Sequence, residues 1–211
     1  MMQEAYSKDL VVLVADKNME QAVRALLEQR TASLGISRVS YDVFVHPQRD
    51  PGCLRHSEAF LRPFCAQYRF SLVMFDREGC GDDWADREEL QRRVQATLAG
   101  AGWDDRTAVV VLEPELESWV WSDSLHVADA LNWRHQTASL TDWLADQGFL
   151  ESRHTKPVRP KEAVEAVLAH TRTPRSSAIY GKLARTVGLE RCSDPAFVHF
   201  RSILRAWFGG A

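Results

Sequence analysis

The sequence predicts an α/β fold: a parallel sheet of about four strands with helices on both faces, followed by a helical C-terminal part. Three observations carry this. Strand-like and helix-like segments alternate from residue 9 to residue 114. The strand-like segments are unbroken apolar runs rich in Val and Leu, as strands covered on both faces are, rather than alternating apolar and polar. Beyond Pro114 only helical periodicity continues. A β-α-β-α-β-α-β order is the signature of parallel strands joined by crossover helices.

The elements follow in order. "DLVVLVAD" (Asp9–Asp16) reads as the first strand. "KNMEQAVRALLEQR" places Met19, Val23, Leu26 and Leu27 at helical spacing, and Gly35 closes that helix. "SRVSYDVFVHP" (Ser37–Pro47) carries Val39, Tyr41, Val43 and Val45 at period two, a second strand. A helix is expected from about Leu54 to Tyr68, bent or restarted at Pro63. "FSLVMFD", ending at Asp76, is the third strand. In "DWADREELQRRVQATLAGAG" the residues Leu90, Val94, Leu98 and Ala101 share one helical face, and Gly100 and Gly102 end it. "RTAVVVLEP" (Arg106–Pro114) is the fourth strand. Helices are then expected near 115–131, 138–149, 160–171, 174–187 and 195–208. In the last, Phe197, Phe200, Leu204, Trp207 and Phe208 form one side and Pro195 suits the first turn. The expected division is an α/β domain over 1–122 and a helical subdomain over 123–211.

Composition excludes several classes. The chain has 211 residues, 45% hydrophobic and 26% charged, the profile of a globular protein. No apolar run is long enough for a membrane span, and the N-terminus lacks a basic-then-apolar signal, so no membrane partner and a cytoplasmic address are expected. Cys53, Cys65, Cys80 and Cys192 form no CxxC pair and are expected as reduced thiols; His46, Cys53 and His56 are the alternative, a zinc site of unfamiliar spacing. Net charge is −3, but residues 151–211 carry +6 and residues 1–150 carry −9. Either the two parts meet different partners or they attract each other.

The strand ends hold the chemistry. In a parallel sheet, ligands sit beyond the carboxyl ends of the strands. Here those ends carry Asp16; His46 with Arg49 and Asp50; Asp76 and Glu78; and Glu113, Glu115 and Glu117. Gathered carboxylates repel and need a cation, and Mg²⁺ or Mn²⁺ suits oxygen ligands. Gly79 and Gly81 would let the backbone turn sharply. Asp82, Asp83 and Asp86 read instead as acids favouring a helix N-terminus. The basic set Arg153, Lys156, Arg159, Lys161, Arg172, Arg175, Lys182 and Arg185 suits a phosphate backbone of DNA or RNA, or an acidic protein partner. "RSSAIYGK" is either a Ser/Lys pair or a helix capped by Ser176 or Ser177. "GCG" makes no phosphate-binding loop, since no GK[ST] follows. Trp119 and Trp121 are expected to pack the helical part onto the sheet.

These motifs resemble the Toprim-type domains over about residues 9–121. Asp16, in "VADKNME", stands where that family has a glutamate after its first strand. "DRE" (Asp76–Glu78) stands for its D-x-D. "EPELESWVW" (Glu113–Trp121) is similar to the P-E-x-E-x-W pattern of a Toprim-like group of bacterial proteins found in defence neighbourhoods. With "KPVRPKEA" and "RSSAIYGKLA" the whole chain resembles a component of methylation-associated defence systems. Two departures stand out: Lys17 replaces the usual glycine, and Glu78 replaces the second aspartate. The resemblance implies Mg²⁺ or Mn²⁺ on Asp76 and Glu78, Asp16 as acid/base, and Glu115 or Glu117 completing the shell. Lys17, Arg49 or Arg77 would steady transition-state charge in nuclease-type phosphodiester chemistry on nucleic acid, within a complex of defence proteins. The alternative it leaves is a decayed site on a scaffolding or interaction subunit.

Overall fold

The computed structural model describes residues 6–121, 124–151, 156–189 and 192–210. Four strands, β1 (Lys8–Val14), β2 (Tyr41–Val45), β3 (Tyr68–Asp76) and β4 (Thr107–Leu112), form one sheet in the order β2-β1-β3-β4. Every pairing is parallel. The α/β fold with an all-parallel four-stranded sheet is therefore as the sequence predicts. Leu10 to Val14 are fully buried, as are Leu72 to Phe75 and Val110 to Leu112. At about 1.5–3 kcal/mol for each large apolar side chain removed from water, these runs dominate the drive to this sheet.

Between the strands lie α1 (Lys17–Gln29), the short α2 (Thr31–Leu34), α3 (Arg49–Leu61) and α4 (Arg87–Leu98). Right-handed crossovers, the rule for such connections, put α1 on one face and α3 and α4 on the other, and α3 and α4 pack together. The expected helix over 54–68 begins earlier, at Arg49, and a separate 3₁₀ turn holds Pro63. An early start is sterically allowed because Gly52 has no side chain: a Cβ there would lie 2.0 Å from His46 Nδ1. Strand β2 is shorter than the period-two pattern suggests, although Val39 remains buried.

After β4 the expected helix over 115–131 is broken. A cis Glu113–Pro114 bond and a 3₁₀ turn (Leu116–Trp119) precede α5 (Leu125–Ala130). Then come α6 (Leu140–Asp146), α7 (Pro160–His170), α8 (Ser177–Thr186) and α9 (Pro195–Phe208). These helices are not an appendage. α8 packs along α1, and α9 packs on β4 and α2. Trp207 stacks on Phe70 of β3 at 4.6 Å, and Trp119 meets Phe197 edge to face at 5.2 Å. The core is one cluster running from the sheet into α7, α8 and α9. Of α8 and α9, it is α9 that covers β4. Asp194 caps α9 and Ser176 caps α8, the structural role expected for a serine of "RSSAIYGK". Among the described residues no helix is long and apolar enough to cross a membrane.

Candidate metal centre

The strand order places the site. β1 lies between β2 and β3, so successive crossovers leave β1 in opposite directions and open a crevice at the carboxyl ends of β1 and β3. Register fixes what stands there. Val14 pairs with Met74, so Asp16, two residues on, is level with Asp76; Asp76 itself pairs with Leu112. Past the sheet the two loops remain stitched: Arg77 N–H donates to Leu112 O at 2.8 Å and Glu78 N–H to Pro114 O at 3.0 Å. The 3₁₀ turn then folds back, and Leu116 N–H donates to Asp76 Oδ1 at 2.9 Å.

The result is a cluster. One carboxylate oxygen each of Asp76, Glu115 and Glu117 lies within 4.8 Å of the others. Glu115 and Glu117 are each only 3% exposed. Asp50, in the first turn of α3, joins from the other side, its Oδ1 accepting Asp76 N–H at 2.8 Å. At this separation each pair of ionised carboxylates costs roughly 3 kcal/mol at an effective dielectric of about 20. Burial, then the neighbouring Asp50, Glu117, Asp16 and Glu115, push the Asp76 carboxyl well above the usual carboxylate range. Burial and Glu117 raise Glu115 to about 7, against the pull of Lys161. Burial raises Asp50 as well.

Cations of the helical part answer this charge. Lys161 Nζ lies 3.5 Å from Glu115 Oε2, and its backbone N–H donates to Glu115 Oε1 at 3.0 Å. Burial works against the Lys161 ammonium, but Glu115, Glu117 and Asp76 outweigh it and hold the amine above its ordinary value. Tyr180 Oη donates to Glu117 Oε1 at 2.5 Å, and Arg175 lies 3.8 Å from the same oxygen while also pairing with Glu165. Lys156 Nζ donates to Ser118 O at 2.9 Å. Three half-exposed cations thus hold three residues of the segment 115–118: Glu115, Glu117 and Ser118. The attraction between the acidic and basic parts of the chain is real at this seam.

The remaining expected site residues divide. Asp16 is the N-cap of α1, its Oδ1 accepting Met19 N–H at 2.9 Å, yet it still acts on Asp76 and Asp50 through its charge. Lys17 pairs with Glu20 at 2.5 Å. Glu78 is exposed and stands outside the triad. The strand ends at Asp76, and Gly79, at φ 81°, carries the chain away. Arg77 pairs with Glu113 at 3.6 Å. Of the basic set, Lys182 donates to Asp129 O at 2.9 Å, Arg159 lies over the Phe149 ring at 5.3 Å, and Arg153 falls outside the described residues. Asp82 and Asp86 do the structural work expected of them: Asp86 caps α4, and Asp82 accepts the N–H groups of Trp84 and Ala85. Asp50, expected at the strand ends from its place just beyond β2, belongs to the cluster, although the sequence reading did not include it in the metal set. His46 Nδ1 accepts Gln48 N–H at 3.1 Å, and among the described residues the triad is the only metal-ligand grouping, so no zinc site forms at His46, Cys53 and His56.

The donor set is all oxygen, which fits Mg²⁺ or Mn²⁺ and not zinc in a thiolate or imidazole site. No protein-family model, no curated protein and no solved structure matches this chain.

Proposed function

We propose that the chain is a Toprim-like, Mg²⁺- or Mn²⁺-dependent phosphodiester enzyme acting on nucleic acid within a bacterial anti-phage defence complex. The observation that carries the reading is the convergence of Asp76, Glu115 and Glu117 within 4.8 Å at the switch point of a parallel sheet. Asp76, Glu115 and Glu117 would hold the ion, with Asp50 fixing the Asp76 backbone behind it. A bound ion would polarise a phosphate oxygen and lower the pKa of a bound water. Asp16, at the same edge, is the acid/base candidate. Lys156, Lys161 and Arg175, half-exposed around residues 115–118, suit phosphates entering from the helical side. The defence setting rests on the likeness of "EPELESWVW" to Toprim-like proteins of defence neighbourhoods.

A second reading is favoured by one observation: Lys161, Arg175 and Tyr180 already satisfy Glu115 and Glu117. On that reading the carboxylates latch the helices to the sheet of a scaffolding subunit. Calorimetric titration of Mg²⁺ and Mn²⁺ separates the two. The wild-type chain should bind one ion. Asp76→Asn/Glu115→Gln, which keeps shape and acceptors, should weaken binding by at least about a hundredfold, the upper end of what outer partners alone cost. Cleavage of plasmid and single-stranded substrates should fall with it. No binding by either protein, with or without an oligonucleotide, leaves the latch.

A further inference from the structure

A cavity of about 590 Å³ lies behind the carboxylate cluster, between α1, α8, the start of α9 and the segment 116–121. Its volume is that of small-molecule sites. Trp119, Trp121, Tyr180 and Phe197 contribute to its wall. The polar atoms of the first three are already committed to protein: Trp119 Nε1 donates to Asp194 at 3.1 Å, Trp121 Nε1 to Pro160 O at 3.0 Å, and Tyr180 Oη to Glu117. Those rings therefore offer apolar faces and no free donors. Among the described residues the charged side chains of the lining are Lys156 and Arg30, both cations. Arg30 is held by the carbonyls of Ala184, Arg185 and Val187 at the end of α8. Lys156 keeps a half-exposed side chain, its ammonium touching Ser118 O and lying 3.8 Å from Asp194.

We infer that this cavity is a binding site for a small amphipathic anion: an apolar, ring-bearing body against the aromatic wall and one acidic group on Lys156. Pockets of this kind recognise by shape over most of their surface and by a few charges at one end. The same segment, 116–121, forms one wall here and one side of the carboxylate cluster, so an occupant would press on the turn that carries Glu117. Binding itself does not depend on the metal reading.

Two probes with one skeleton test it: anilinonaphthalene sulfonate, anionic, and phenylnaphthylamine, its neutral counterpart. Fluorescence titration of the full chain should show one saturable site preferring the sulfonate. Lys156→Met, which keeps the aliphatic stem, should weaken the sulfonate about tenfold and leave the neutral probe unchanged. Ala184→Phe, which fills the cavity from α8, should abolish both while circular dichroism and the thermal midpoint show an intact fold. Should that variant not fold, indole N–H cross-peaks of the wild-type chain decide: those of Trp119 and Trp121 should move with probe and those of Trp84 and Trp103 should not. Unsaturable binding, equal affinity for the two probes, or shifts at Trp84 instead would overturn the inference.

Discussion

Two groups of carboxylates leave the end of β3 together and meet opposite environments. Asp76 is drawn into a cluster with Asp50, Glu115 and Glu117, and burial followed by like charges raises its pKa. Asp82, a few residues on, lies at the surface. The Arg93 guanidinium at 2.7 Å and then the Ala85 N–H lower its pKa. The same residue type is thus a stored cost in one place and a turn-former in the other. Charge density in the sequence does not distinguish them; the difference is whether the counter-charge is local. Arg93 is one helix away from Asp82, whereas the cations facing the buried cluster come from α7 and the approach to α8. A cluster whose counter-ions arrive late in the chain and only half-cover it is the one that can accept a metal.

The widest effect expected from that contrast is on pH. Burial and the neighbouring Glu117 raise the Glu115 carboxyl to about 7 in the folded chain, against its ordinary 4.5. A folded-state pKa raised above the unfolded one means the folded state binds more protons between them. Stability from this group is therefore full below about pH 4.5 and is lost as pH rises through about 7. Metal binding runs the other way, because ligands must be deprotonated. Mn²⁺ affinity should rise about tenfold between pH 6 and pH 8 from Glu115 alone, while the metal-free chain loses stability over the same span. Calorimetry in two buffers of different ionisation heat would count the released protons. Flat affinity across that range would place the ion, if one binds, among the exposed acids instead.

A smaller change sharpens the role of the counter-ions. Lys161→Met keeps the backbone N–H on Glu115 and removes the ammonium. The lysine side chain is 47% exposed, so its attraction is screened, and the loss of stability at pH 8 should be about 1 kcal/mol. Mn²⁺ should then bind a few-fold tighter, since a competing cation has gone. Denaturant melts with and without Mn²⁺ read both. Lost stability with no gain in metal affinity would favour the latch.

The sheet was legible in the sequence because three of its strands, β1, β3 and β4, carry unbroken buried apolar runs such as Leu10–Val14, which have no other home. Asp76 was legible for a related reason: an acid closing such a run must sit at the strand's carboxyl end, and Glu115 and Glu117 follow a few residues beyond the end of β4 at Leu112. Asp50 was legible as a group just beyond β2 but not as a partner of Asp76, because α3 was expected to begin only near Leu54; the close approach of Gly52 to His46 shows why it can begin earlier. Lys161 and Arg175 were legible as basic residues but not as partners of Glu115 and Glu117. That pairing depends on how α7 and α8 dock, which no local pattern encodes.

Glu78 marks the boundary between the two acid groups. Read as the second acid of a D-x-D, it shares a face with Asp76 only while the chain stays extended, since residues two apart line one side of a strand. The strand stops at Asp76 and Gly79 adopts φ 81°, so that condition fails. Glu78 is left exposed, its charge still felt by Glu115 but outside the triad. Glu78→Gln should accordingly change Mn²⁺ affinity by less than about threefold, the scale of a screened surface charge near a site. Raising the salt should shrink even that. A loss as large as that of the Asp76→Asn/Glu115→Gln variant would mean that the loop folds inward when the ion binds. Asp82 and Glu78 would then have to be regrouped with the cluster, and the division drawn at the end of β3 would belong only to the metal-free chain.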